Sequence, residues 1–259
     1  MACYVKESRD ADTRKLYPVH FWDELNSQSP RFRKKFVRFS YYGKATMLDL
    51  LTPEELKGAL VLEARRMESS YIENLGNGKF RLNTLPALTQ IAPVNGMIVD
   101  DVNDDGDLDV VMVGNDYGNE VFAGRYDAFT GLIMLGDGRG KFKTVGSSES
   151  GFYVPGDAKA LAKVSGTRLD FYVATQNRDS VKVFIPTKTQ NTKLQPGPFD
   201  RWAELTHEDG RKQRMEFYYG SGYLTQSTRQ TRIQKGVKEI AIYDFKGHSR
   251  KVKLPAGSH

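Results

Sequence analysis

Nine residues constrain this chain more than any others: Asp101-Val-Asn-Asp-Asp-Gly-Asp-Leu-Asp109. Oxygen-bearing side chains stand at the first, third, fifth and ninth positions, Asp101, Asn103, Asp105 and Asp109, and the seventh residue, Asp107, offers its backbone carbonyl. Gly106 sits sixth, where the chain must turn sharply. Alternating hard oxygens on a tight loop suit Ca²⁺, which takes about six to eight oxygen ligands. An EF-hand would next need a bidentate Glu at the twelfth position and then a helix. Here that position is Met112, inside the apolar run Val110-Val111-Met112-Val113, and Gly114-Asn115 follows. The pattern predicts a buried strand and a turn, hence a calcium loop between β-strands. The alternative is a polar turn with exposed aspartates. Clustered like charge without a compensating cation is costly, which favours the ligand reading.

The strand framework around this loop occurs twice. Leu75-Gly76-Asn77-Gly78-Lys79-Phe80 recurs as Leu135-Gly136-Asp137-Gly138-Arg139-Gly140-Lys141-Phe142. Leu108-Asp109-Val110-Val111 recurs as Leu169-Asp170-Phe171-Tyr172, and Val121-Phe122 as Val183-Phe184. A period of roughly sixty residues is the scale of a four-stranded blade with a loop insertion. At the same offset Asp101, Asn103 and Asp105 are replaced by Ala162, Val164 and Gly166, and only Asp170 survives. The β-framework therefore does not itself require the acidic set.

Three segments are expected. Residues 1–68 hold a polar start and, from about His20 to Leu60, a helical insert. Trp22 and Leu25 share a face with Phe21, and Ser29-Pro30 reads as an N-cap with Pro at the first helical position. Basic residues from Arg31 to Arg38 interleave with Phe32, Phe36, Val37 and Phe39, the pattern of a solvated basic face over an aromatic core. Thr52-Pro53-Glu54-Glu55 is a capping box. Residues 69–190 hold the repeats, with Ser70–Leu75 and Lys79–Leu82 as a hairpin about Asn77-Gly78 and a strand from Met97 into the acidic loop. Residues 191–259 follow a linker, Pro186 to Pro198, and form a small β module with strands at Arg211–Tyr219, Ile240–Tyr243 and Val252–Leu254. The fold class is mainly β.

Between the copies runs a polar, aromatic loop from Gly114 to Asp127. Asp116, Glu120, Arg125, Tyr126 and Asp127 are its candidate binding residues, either extending the metal site or meeting a partner; the alternative, which is preferred, is an internally hydrogen-bonded surface loop. A second such loop spans Gly151 to Asp157.

The formal charge is +6, but Asp100 to Asp127 is strongly acidic while the first forty and last sixty residues are basic. No aromatic-interleaved RNA motif or basic helix accompanies the basic total, so no nucleic-acid partner is expected. Cys3 is the sole cysteine, which excludes an internal disulfide. Neither a signal peptide nor a transmembrane run is legible. The histidines His20, His207, His248 and His259 are scattered without metal spacing, and no catalytic residues are assigned. An enzyme reading rests only on Arg125, Tyr126 and Asp127 as anchor, acid and base.

Asp101–Asp109 with its flanking strand resembles the calcium loop of FG-GAP/VCBS repeats, as in integrin-type β-propellers. Asn74–Phe80, Gly124–Asp127 and Gly156-Asp157 are similar to the large VCBS-repeat proteins of Bacteroidota-type bacteria. Gly220-Ser221-Gly222-Tyr223-Leu224-Thr225-Gln226-Ser227 resembles the ASPIC/UnbV module that follows such repeats, seen also in cartilage acidic proteins. The resemblance implies an incomplete β-propeller of about two blades with a C-terminal β module, a C-terminal piece of a longer propeller or a truncated relative. Two blades cannot close a ring, and open strand edges favour self-association. It implies a structural Ca²⁺, a protein or glycan ligand in adhesion at the cell surface, and an extracytoplasmic location. The alternative it leaves is a propeller-based lyase or hydrolase acting on extracellular polysaccharide.

Overall fold

The computed structural model describes residues 5–7, 15–121, 123–167, 169–186, 192–223 and 225–254. Cys3, Phe122, Leu224 and His259, and part of the Pro186–Pro198 stretch, lie outside them. The protein is mainly β, built from several antiparallel sheets, none of which closes. It divides into two compact units, Met1–Arg66 and Met67–His259. Among the described residues no helix is long and apolar enough to cross a membrane.

The first unit pairs β1 (Val5–Glu7) with β2 (Leu16–Pro18) and continues through short helices α1 (Trp22–Gln28), α2 (Arg31–Lys35), α3 (Phe39–Tyr42), α4 (Met47–Leu50) and α5 (Pro53–Leu56). Leu25, Phe32, Phe36, Met47 and Leu50 form its core, while Phe21, Val37 and Phe39 stay exposed. Helices this short are set by packing and caps rather than by propensity. The Thr52 hydroxyl accepts the Glu55 N–H at 3.3 Å, and the Glu55 carboxylate takes the Thr52 N–H at 2.9 Å. The helix ends at Leu56 instead of Leu60, and Pro30 itself occupies the N-cap of α2.

The second unit opens with the hairpin β3 (Ser70–Gly76) and β4 (Lys79–Thr84). Its turn holds Asn77 and Gly78 at φ 51° and 71°, the pair of left-handed residues that matches strand twist. After a 3₁₀ turn at Ala87–Thr89 come β5 (Val94–Asp100), β6 (Asp109–Gly114), β7 (Leu132–Gly136) and β8 (Phe142–Val145), a four-stranded antiparallel meander. Strand β6 is buried throughout, as its unbroken apolar run requires. Val111 and Val113 point to one face, joining Ile98, Leu161, Tyr172 and Ala174. Val110 and Met112 point to the other, joining Phe129, Leu132 and Met134.

Helix α6 (Ser147–Ser150) leads to β9 (Ala158–Ser165), β10 (Asp170–Gln176) and β11 (Lys182–Phe184), a three-stranded sheet. The rest forms β12 (Lys193–Leu194) paired with β15 (Thr231–Arg232), and a four-stranded sheet β14-β13-β16-β17 of β13 (Asp200–His207), β14 (Lys212–Glu216), β16 (Val237–Asp244) and β17 (Ser249–Val252). Two expectations are corrected here. The linker stretch contains a strand, β12, and the sheet's long strand β13 has no counterpart in the sequence reading.

Candidate metal centre

Asp100 at the end of β5 pairs with Asp109 at the start of β6, so the acidic loop is the connection between two core strands. It is wound on one carboxylate. Asp101 Oδ1 accepts the N–H groups of Asp104 at 2.8 Å and Asp105 at 3.1 Å, and Oδ2 accepts that of Gly106 at 2.9 Å. The winding needs left-handed backbone at Asp104 and Gly106, φ 64° and 88°; glycine adopts it freely and aspartate tolerates it. Asn103 Nδ2 donates to Asp105 Oδ2 at 2.8 Å, and Asp105 Oδ1 accepts the Asp107 N–H at 2.9 Å. Asp109 is fully buried and closes the loop, with Oδ2 on the Val102 N–H at 3.0 Å and Oδ1 on the Gly136 N–H at 2.9 Å.

Four predicted ligands, Asp101, Asn103, Asp105 and Asp109, thus belong to one bonded cluster. Burial pushes the Asp101 carboxyl up to about 6, against the opposing pull of its three N–H donors, and the negative charge of Asp105 adds to the rise. Burial raises Asp109 as well, opposed by the Gly136 and Val102 N–H groups. Among the described residues no lysine, arginine or histidine forms an ion pair with Asp101, Asp105 or Asp109.

The donor set fits Ca²⁺ by its chemistry: every candidate ligand is a hard oxygen, and among the described residues the Asp101, Asp105 and Asp109 carboxylates have no ion-pair partner. The oxygens are nevertheless turned onto the loop's own amides. No three His, Cys, Asp or Glu side chains converge as a ready metal cage among the described residues. Each carboxylate oxygen can accept more than one bond, so these amide contacts leave acceptor capacity.

The partly exposed Asp107 carboxylate is paired with Arg211, whose other terminal nitrogen donates to the Gly106 carbonyl at 3.3 Å. Arg211 stands just before β14, so the C-terminal sheet sends one cation onto the loop.

The second copy is also corrected. Ala162 and Val164 are strand residues of β9, paired with Val173 and Phe171, and Ser165 pairs with Asp170. The connection here runs only from 166 to 169, so these positions are not the counterparts of the loop residues. The surviving aspartate has fixed cations: Arg232 Nε lies 2.9 Å and Lys163 Nζ 3.6 Å from Asp170 Oδ2. Lys163 also donates to Asp100 at 2.6 Å, and the Tyr172 hydroxyl to the same oxygen at 2.5 Å.

Asp116, Glu120, Arg125, Tyr126 and Asp127 lie beyond the far end of β6, roughly 17 Å from Asp109 at the usual rise per strand residue, and do not extend the site. Asp116 and Tyr126 exchange backbone hydrogen bonds at 2.9 Å. The Gly118 N–H, with help from Lys159, holds the Asp116 carboxyl below its ordinary value. Arg125 lies over the Tyr117 ring at 4.9 Å, and the Glu120 carbonyl accepts from Ala123 and Gly124. The loop hangs on Asn115, fully buried at φ 84°. Its Nδ2 reaches the carbonyls of Phe129, Pro155 and Gly156 at 2.7, 3.1 and 3.0 Å, and its Oδ1 accepts the Phe129 N–H at 2.9 Å.

Sequence reasoning missed Asn115, Lys163, Arg211 and Arg232 as parts of the site and its support. Lys163 alone carried a local signal, since it falls on the same face of β9 as buried Leu161. Of the histidines, His207 is buried against Gln213 at 3.0 Å and His248 sits on Asp244 at 3.1 Å. Neither approaches the acidic loop through any described bond. No protein-family model matches the chain and no curated protein matches it, so the meaning of the site rests on its own geometry and chemistry.

Proposed function

We propose that the unit from Met67 to His259 is a calcium-stabilised β-repeat module of the FG-GAP/VCBS type, an incomplete propeller followed by an ASPIC/UnbV-like sheet. The module works by binding a protein or glycan partner in an extracytoplasmic, adhesive setting. Asp101, Asn103, Asp105 and Asp109 would hold the ion by their side chains and Asp107 by its carbonyl. The bound ion supplies positive charge to the loop joining β5 and β6. The chain's own residues then keep that loop rigid and present its neighbours, including the 115–127 loop.

One contrast carries this reading. The same repeat position is neutralised by Lys163 and Arg232 at Asp170, whereas Asp109 and its neighbours Asp101 and Asp105 have no such partner among the described residues. Where the acidic set is lost, protein cations take over; where it is kept, a mobile cation is the chemically matching answer.

Thermal unfolding in chelator and in millimolar Ca²⁺ tests it. At about a hundredfold excess over Kd the ion adds about 2.7 kcal/mol, so Tm rises by several degrees. Asp105→Ala removes the rise while leaving the chelator-state Tm close to wild type, because Asp105 is exposed. An unchanged wild-type Tm refutes a structural calcium.

A further inference from the structure

The first unit holds a basic run that the acidic loop does not use. From Arg31 to Leu48 the chain carries six lysines and arginines and not one aspartate or glutamate. Two of the six are engaged. Arg31 pairs with Glu55, and Lys35 donates to the Leu50 carbonyl at 3.0 Å. Arg33, Lys34, Arg38 and Lys44 are exposed and make no ion pair among the described residues. So dense a run of one sign, left without counter-charge, selects an anionic partner.

A solvated basic face over an aromatic core would bury the apolar residues of this run, and the fold does so for only some of them. Phe32 and Phe36 enter the core of the unit. Phe36 follows α2 in extended backbone, and Trp22 Nε1 donates to its carbonyl at 3.0 Å, which fixes the chain where it turns into α3. The next residue, Val37, is 76% exposed, and Phe39 and Tyr41 are 63% and 60% exposed. The Phe39 ring leans on Trp22 at 4.7 Å between centroids, yet most of its surface stays in water. Three largely apolar side chains thus stand among four unpaired cations, all between Arg33 and Lys44. Side chains of these two kinds settle together at a membrane interface. Apolar groups enter the boundary between headgroups and acyl chains, and lysine and arginine stems reach the phosphates.

We propose that this corner between α2 and α3 docks the protein on an anionic lipid surface, with Val37 and Phe39 entering the headgroup boundary and Arg33, Lys34, Arg38 and Lys44 meeting lipid phosphates. Charge fixes the sign of the partner, and the exposed side chains fix its kind. A single-stranded nucleic acid stacks its bases on rings, and a sugar chain packs on flat aromatic faces. Val37, the most exposed of the three, offers neither. A protein partner would need a pocket for Val37 and a carboxylate for each cation, whereas a fluid bilayer needs no such match. The docking is peripheral, since no helix among the described residues is long and apolar enough to cross a membrane. It concerns the first unit alone and does not depend on the calcium reading.

Co-sedimentation of the full chain with vesicles tests it, using phosphatidylcholine alone and phosphatidylcholine mixed with phosphatidylglycerol. Chelator in the buffer removes any calcium bridge between the acidic loop and phosphate. The expected result is binding to the mixed vesicles only, released by salt. Lys34→Gln/Arg38→Gln should weaken it roughly twentyfold, at about fivefold per cation. Val37→Ser should weaken it several-fold, and both variants should keep the wild-type Tm because the positions are exposed. A polarity-sensitive dye on Val37→Cys, in a Cys3→Ser background, should shift to the blue on the mixed vesicles, which attraction by charge alone would not produce. Equal binding to both vesicles, no binding to the mixed ones, binding that the variants leave unchanged, an unshifted dye, or tighter binding to heparin or duplex DNA than to the mixed vesicles would each overturn it.

Discussion

Asp109 and Asp170, aligned in the sequence reading, stand in two electrostatic settings. Both open an inner strand and both are buried, but Asp170 faces Lys163 and Arg232 while Asp109 faces only amides. The Lys163 ammonium also serves Asp100. Lys163→Met should therefore cost about 1–3 kcal/mol in urea unfolding, because Asp100 loses its ion pair and keeps only the Tyr172 hydroxyl, while Asp170 keeps Arg232. Tyr172 shares the Asp100 oxygen. Burial, and then the charge of Asp100, push its phenol well above the ordinary 10.0. The folded state thus favours the neutral phenol. Its contribution is complete below pH 10 and declines as pH rises beyond that, where the unfolded chain ionises and the folded one does not. Wild type should lose more stability between pH 10 and 11 than Tyr172→Phe, measured by denaturant midpoints; equal slopes would show that the phenol is not held neutral.

At the scale of elements, the loop from Asp116 to Asp127 is organised by a residue outside its polar stretch. Asn115→Ala, in a left-handed backbone position, removes the side-chain partner of the Phe129 carbonyl and N–H and one of the donors to the Pro155 and Gly156 carbonyls, which keep the Tyr117 hydroxyl and the Ala158 N–H. A loss of about 3 kcal/mol or more is expected, with faster proteolysis in 116–127. Some of this architecture is legible locally. The unbroken apolar run of β6, the Asn-Gly hairpin and the Thr52 capping box each carry their own signal within a few residues. Strand β13 was harder to see, because its inward positions are Ala203, Leu205 and His207, a weak apolar alternation beside Asp200-Arg201. Strand β12 is two residues long and pairs with Thr231–Arg232; nothing in the Lys193-Leu194 sequence announces it. The short 166–169 connection is not legible from a fixed offset, because strand β9 runs through the positions that the offset places in a loop.

For the molecule as a whole, the acidic loop is the connection between two core strands, β5 and β6. The loop's ligand pattern could be read in sequence because its residues are consecutive. Its electrostatic surroundings could not, since Arg211 and the contrast provided by Arg232 come from segments far along the chain and become neighbours only through folding. The central proposal is that Asp101, Asp105 and Asp109, which have no ion-pair partner among the described residues, hold a divalent cation. Calorimetric titration of the full chain with Ca²⁺ examines it most directly. The account predicts a single saturable site at sub-millimolar to millimolar calcium that disappears in Asp105→Ala; no binding at millimolar calcium, or binding that the substitution leaves unchanged, would contradict it.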